Sequence, residues 1–148
     1  MSRRTIAIAA ALSVLALGLP LITGCTNPLE TQYLNQGVEK YEAGNYQGAI
    51  DDWSKAIEIN PQNANAYYNR GSAKDELGDY QGAIADYTKA LEINPQDASA
   101  YLNRGIAREL LNDLEGACDD WRKAADLGDE RSAEPVSYTH LTLPTNCV

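Results

Sequence analysis

Between positions 30 and 131 apolar residues recur every three or four positions, in short stretches separated by Gly, Asn or Pro. In Tyr80–Ile93, Ala83, Ile84, Tyr87, Ala90 and Leu91 form the stripe of an amphipathic helix. The preceding stretch, Ala64–Leu77, has Tyr67, Gly71, Ala73 and Leu77 among its packing positions. Gly78-Asp79 parts the two, because glycine accepts a positive φ at a helix end and aspartate caps the next start. Asn94-Pro95 stops the second helix, since the residue before proline is pushed out of the α region. Asn60-Pro61 does the same one unit earlier, and Gly128-Asp129 stands there in the third unit. Each unit therefore predicts a pair of helices.

The unit is written three times. At an offset of 34 residues, Glu30–Asn63 matches Ala64–Asp97 at 19 of 34 positions, and Ala64–Asp97 matches Ala98–Arg131 at 14 of 34. Asn45-Tyr46-Gln47-Gly48-Ala49-Ile50 lies against Asp79-Tyr80-Gln81-Gly82-Ala83-Ile84. Chance would give about two or three matches, so the period marks a repeat architecture in which stacked units share one core.

Small residues recur at Gly37/Gly71/Gly105, Ala49/Ala83/Ala117 and Ala56/Ala90/Ala124, with an aromatic at Trp53/Tyr87/Trp121 and proline at Pro61/Pro95. Together these resemble the signature of the tetratricopeptide-repeat (TPR) family. The resemblance implies an all-α, right-handed superhelical solenoid of three helix-turn-helix repeats, 30–63, 64–97 and 98–131. Trp53, Tyr87 and Trp121 are expected in the core rather than in a ligand cage.

It also implies that the first helix of each unit lines an inner groove through its positions 2, 5, 6 and 9. Those positions give Leu34, Asn35 and Val38; Asn65, Tyr68, Asn69 and Ser72; Leu102, Asn103 and Ile106 as peptide-binding candidates. Asn35, Asn69 and Asn103 recur at one place, and an amide row offers donors and acceptors to an extended backbone. Some members of the family clamp a carboxylate with Lys and Arg at these positions, and this chain has none there. An acidic tail is therefore not the expected ligand. Arg70 and Arg104, one residue further along, are expected to pair with nearby acids.

Charge and chemistry narrow the reading. Beyond position 24 ten lysines and arginines face 21 acids, a net charge of −11 that repels phosphates and disfavours a nucleic-acid role. Cys25, Cys118 and Cys147 are too few and too scattered for a disulfide framework or zinc site, and His140 is the single histidine. Cys118 takes the place of Ile50 and Ile84, so it is expected to be a small buried hydrophobe. Asp51-Asp52 and Asp119-Asp120 are adjacent on a helix, about 100° apart, and do not converge on a ligand. They are expected to be solvated helix surface. No catalytic constellation, metal ligand set, cofactor or small-molecule substrate is expected.

The first residues read as an address. Arg3 and Arg4 precede an apolar run from Ile6 to Leu19, which Pro20 ends. Fourteen helical residues span about 21 Å, short of the ~30 Å bilayer core, which fits a cleavable signal over 1–24. Ile22-Thr23-Gly24-Cys25 resembles a bacterial lipobox, which implies cleavage before Cys25, lipidation of its sulfur and a short linker over 25–29. The implied location is the cell envelope, anchored to a membrane and exposed outside the cytoplasm.

The last stretch obeys none of these rules. Codons for Val136–Thr145 can spell a string resembling the adapter of transposase-based sequencing libraries, so Pro135–Val148 is expected to be non-native. Residues 132–134 then begin a truncated capping helix, and Leu110, Leu114 and Trp121 are expected to lie partly uncovered. The functional expectation is a lipid-anchored, peptide-binding scaffold that helps assemble an envelope complex. The alternative is the N-terminal part of a longer protein whose catalytic domain followed.

Overall fold

The structure, a computed structural model, describes residues 27–128. The expected signal, Cys25, the capping residues 132–134 and the tail 135–148 lie outside the described residues. Six helices fill the span: α1 (Pro28–Glu42), α2 (Tyr46–Ile59), α3 (Ala64–Glu76), α4 (Tyr80–Ile93), α5 (Ala98–Leu110) and α6 (Leu114–Asp126). Among the described residues there is no strand.

Every helix starts on an Asn or Asp whose side chain accepts a backbone N–H of the first turn: Asn27, Asn45, Asn63, Asp79, Asp97 and Asp113. Each cap satisfies one of the donors a helix start leaves unpaired, worth ~1 kcal/mol. The first helix begins two residues ahead of the first repeat unit. Pro28 fits there because its missing N–H lies where the helix needs none. Glu30, one turn in, is buried and accepts the side-chain amides of Asn60 at 2.8 Å and Asn63 at 2.6 Å. Those bonds pin the start of α1 to the turn between the first two units.

Within each pair the turn needs a left-handed residue. Gly44 (φ 74°) and Gly78 (φ 78°) supply it in the first two units, and Asn112 (φ 63°) in the third. Asparagine is among the few residues with a side chain that visit this region readily. Asn60 and Asn94 terminate α2 and α4 in extended conformations, as a following proline demands.

Packing follows the small residues. Ala49, Ala56, Ala66, Ala73, Ala83, Ala90, Ala100, Ala107, Ala117 and Ala124 are all buried. Alanine at these seams lets helix axes approach closely, and the large aromatic fills what remains. Trp53 lies on Gly37 with its indole N–H donated to the Leu34 carbonyl at 3.2 Å. Tyr87 lies on Gly71 in the same way, and Trp121 on Gly105. Each helix packs on the next in sequence, and α1 also touches α3, as α3 touches α5. The first helices of successive units are thus neighbours along one face. The result is an all-α helical solenoid.

Two expectations need correction. Trp121 is only 6% exposed, and its indole packs within its own unit against Gly105. Leu110 and Leu114 are the exposed ones, at 54% and 43%. Cys118 is buried as expected, and it is disulfide-bonded rather than a free thiol.

Candidate functional site

Where α1 and α3 run side by side they enclose a cleft of about 340 Å³, lined by Val38, Tyr41, Glu42, Trp53, Tyr68, Asn69 and Ser72. Helical spacing explains the set. Val38, Tyr41 and Glu42 stand at i, i+3 and i+4 on the last turns of α1, and Tyr68 and Ser72 stand four apart on α3. A cavity of ~150 Å³ holds a benzene-sized group, so this cleft has room for one long side chain.

Four of the ten predicted contact residues line this cleft: Val38, Tyr68, Asn69 and Ser72. Leu34 is half-buried and packs against the core under α1. Asn35 and Asn65 are exposed and outside the lining, and Leu102, Asn103 and Ile106 are half-buried on α5. The asparagines at the recurring place are therefore not equivalent. Asn103 donates its amide to the Tyr68 hydroxyl at 3.0 Å, tying the third unit to the second, while Asn69 faces the cleft.

Sequence reasoning missed Tyr41 and Glu42, and placed Trp53 in the core without seeing that it also backs the cleft. Tyr41 and Glu42 lie one turn past Val38 on the same helix face, and that spacing is the signal that points to them. The ring of Tyr41 packs on Tyr46 (centroids 5.2 Å apart) and Trp53 (5.9 Å), and Tyr68 packs on Tyr87 (5.7 Å). These separations and tilts are those aromatic pairs favour. Ser72 is held between them: its hydroxyl donates to the Tyr68 carbonyl at 3.1 Å and accepts from the Tyr87 hydroxyl at 3.2 Å.

The hydroxyls feel this environment. Burial, then the neighbouring Glu76 carboxylate, pushes Tyr41 up to about 12, and its O–H donates to Glu76 at 3.3 Å. Burial also drives Tyr87 well above the ordinary tyrosine range, although its bond to Ser72 works the other way. Both phenols are neutral over the physiological range.

The cations are committed elsewhere. Asp86 is buried on α4 and takes a two-pronged ion pair from Arg70 (2.6 and 2.8 Å) and a second cation from Lys74 at 2.7 Å. One unit on, Asp120 takes the same fork from Arg104 (2.6 and 2.9 Å) with Arg108 at 2.7 Å. One unit back, Asp52 takes Lys40 at 2.5 Å and Lys55 at 3.4 Å. The expectation of solvated acid pairs therefore holds for Asp51 and Asp119 and fails for Asp52 and Asp120. Asp120 faces two cations on the paired first helix, and Asp52 faces one there and one, Lys55, on its own helix; these supply the partners that burial of a carboxylate requires. At about 100° per residue, Arg70 and Lys74 point to the side of α3 away from Tyr68 and Ser72. None of the described lysines or arginines lines the cleft.

Among the described residues no group of three His, Cys, Asp or Glu side chains is placed to hold a metal ion. None of their helices is long and apolar enough to cross a membrane.

Family models match along the array: TPR repeat over 37–74, and tetratricopeptide repeat over 64–97 and 86–119. No curated protein matches the chain. Among solved structures the chain is similar to the Arabidopsis OM64 TPR domain, at 34% identity and a TM-score of 0.69, over 71% of this chain and 88% of that one. It is similar to the first TPR of Spaghetti (RPAP3) bound to the HSP90 peptide SRMEEVD, at 30% identity and a TM-score of 0.66, over 68% and 79%. The second TPR domain of human RPAP3, in complex with the HSP70 peptide SGPTIEEVD, is 25% identical with a TM-score of 0.68, over 71% and 89%. With its repeated helix pairs, their glycine-on-aromatic seams and these relatives, the chain belongs to the tetratricopeptide-repeat family.

Proposed function

We propose that the chain is a non-catalytic scaffold that holds a segment of another polypeptide in the cleft between α1 and α3. The observation that carries this is the cleft itself: an open, aromatic-floored trough with an asparagine amide, Asn69, on its wall. The likeness to two TPR domains solved with peptides bound supports the same use of the fold. Both of those peptides carry adjacent glutamates, whereas no cation lines this cleft, so the ligand here belongs to a different chemical class.

The scaffold works outside the cytoplasm, carried by a lipid on Cys25, and helps assemble a complex of the bacterial envelope. The apolar run ending at Ile22-Thr23-Gly24-Cys25 supports this part of the reading. A single acyl chain holds a protein to a bilayer only marginally, so firm anchoring would need more than one.

Pull-down with the wild-type protein and with an Asn69→Ala variant tests the cleft. Weakened partner capture at unchanged helicity is expected, and unchanged capture would overturn the assignment. Palmitate labelling and membrane fractionation of a Cys25→Ser variant test the anchor, which requires both label and membrane association to be lost.

A further inference from the structure

The cleft has a chemical polarity that the peptide-holding role does not by itself demand. Two tyrosines and a tryptophan edge contribute its aromatic surface, through Tyr41, Tyr68 and Trp53, and its one charged lining group is Glu42. Glu76, on the same face of α3 as Ser72, accepts the Tyr41 hydroxyl. Asp75 lies one turn along from Ser72, and its Oδ1 is buried without a hydrogen-bond partner among the described residues. Negative charge therefore gathers at this end of the trough, while Lys40, Arg70 and Lys74 are drawn to the buried aspartates.

Resting on the peptide-holding reading, we propose that the cleft selects a partner segment bearing a lysine or arginine. That side chain lies between the rings of Tyr41 and Tyr68, with its charged head at the Glu42 carboxylate. Aromatic faces attract cations through their quadrupole, and they do so more strongly where water is partly excluded. A carboxylate at the mouth of the cleft adds a charge-assisted hydrogen bond. The long apolar stem of Lys or Arg suits the Val38 and Trp53 walls, which a shorter acidic side chain would leave empty. An acidic segment would meet Glu42 and Glu76 with like charge and find no cation in return.

The chain is acidic overall, so any basic peptide gains a general attraction, and the test must separate that from the cleft. A phage-displayed library of random nine-residue peptides is selected on the protein, and an enriched peptide is then synthesised. Enriched sequences are expected to place Lys or Arg beside apolar residues and to shift the amide resonances of Tyr41, Glu42, Tyr68 and Ser72. Glu42→Gln should weaken that peptide about fivefold, in the range of a single charge-assisted contact. Glu58→Gln removes the same charge from an exposed site on α2 outside the cleft, and should leave binding within about twofold.

Enrichment of acidic or uncharged peptides whose shifts map to the cleft would overturn the basic-residue selectivity and leave peptide holding intact. Equal weakening by Glu42→Gln and Glu58→Gln would do the same, by reducing the preference to bulk charge. No enrichment, or shifts that map outside the cleft, would overturn both readings.

Discussion

Arg70 and Asp86 form a two-pronged ion pair between α3 and α4, and the remaining guanidinium nitrogen of Arg70 reaches back to Ser54 on α2 at 3.1 Å. One arginine thus joins the two helices of its own unit and the second helix of the unit before. Arg104 repeats the arrangement with Asp120 and with Thr88 at 3.0 Å. In a stacked array each unit contacts only its neighbours, so such a bridge contributes to cooperativity between units as well as to local stability.

Replacing Arg70 by Met keeps the stem and removes the fork. Asp86 stays buried with Lys74 as its one remaining cation, so the loss is expected to fall below the 3–5 kcal/mol of a fully broken buried pair, at about 2 kcal/mol. A double-mutant cycle with Ser54→Ala in urea unfolding should give a coupling of roughly 0.5–1 kcal/mol. A coupling indistinguishable from zero would mean that the bridge between units carries no stability.

Gly37 offers a second test, because two effects of one methyl group oppose each other there. Alanine is the better helix former by about 1 kcal/mol. The added Cβ, however, would overlap the indole of Trp53, which is buried and cannot swing away. Overpacking a filled core costs about 1–3 kcal/mol, so Gly37→Ala should be destabilising on balance. At Gly71 a Cβ would stand 3.0 Å from the Tyr87 ring and 3.3 Å from the Ala83 carbonyl, a milder conflict. Gly71→Ala should therefore cost less than Gly37→Ala in thermal midpoint. The reverse order would show that the aromatic seam yields more easily than its burial suggests.

The fold was legible because every unit states it again. Periodic alanines, Gly78-Asp79 and Asn94-Pro95 place the helix ends within a residue or so of those observed, and the glycine-over-aromatic pairing identifies the core. What stayed hidden is chemistry that depends on neighbours. Asp52 and Asp120 each follow an exposed aspartate, and nothing in either dipeptide separates the buried member from the solvated one. The recurrence of Asp52, Asp86 and Asp120 at 34-residue spacing, in step with Lys40, Lys74 and Arg108, was the available clue. The cleft was half legible. Positions 5, 6 and 9 led to Tyr68, Asn69, Ser72 and Val38, but the α1 end that turns toward α3 brings Tyr41 and Glu42 in from outside that pattern.

Alkaline titration examines the tyrosine cluster. The folded-state value of Tyr41, about 12, is above the ordinary 10, so the folded protein keeps a proton that the unfolded chain has released. The stability this contributes is fully present below pH 10 and is lost as pH rises from about 10 through about 12. Absorbance at the phenolate band should show Tyr41 and Tyr87 ionising above the ordinary tyrosine range. Glu76→Gln should move Tyr41 partway back, since burial, the larger cause, remains. A complete return to the ordinary value would show that the carboxylate dominates instead.

Asp75 gives the opposite kind of result, a stabilising substitution. Burial, and then the charge on Glu76, hold its carboxyl above the ordinary range, and its Oδ1 has no hydrogen-bond partner among the described residues. A raised folded-state value means that the protonated carboxyl favours folding. That contribution is complete below the unfolded value of 3.8 and disappears as pH rises through the folded one. At neutral pH the charged group is thus a net cost, which Asp75→Asn removes at nearly constant volume. The variant should melt above wild type at pH 7, by a margin that solvent screening of this half-buried group keeps small. Its advantage should shrink toward zero near pH 3, where the wild-type carboxyl is protonated in both states. A gain of the same size at both pH values would assign the effect to packing, and a loss at pH 7 would show that the carboxylate is needed where it sits.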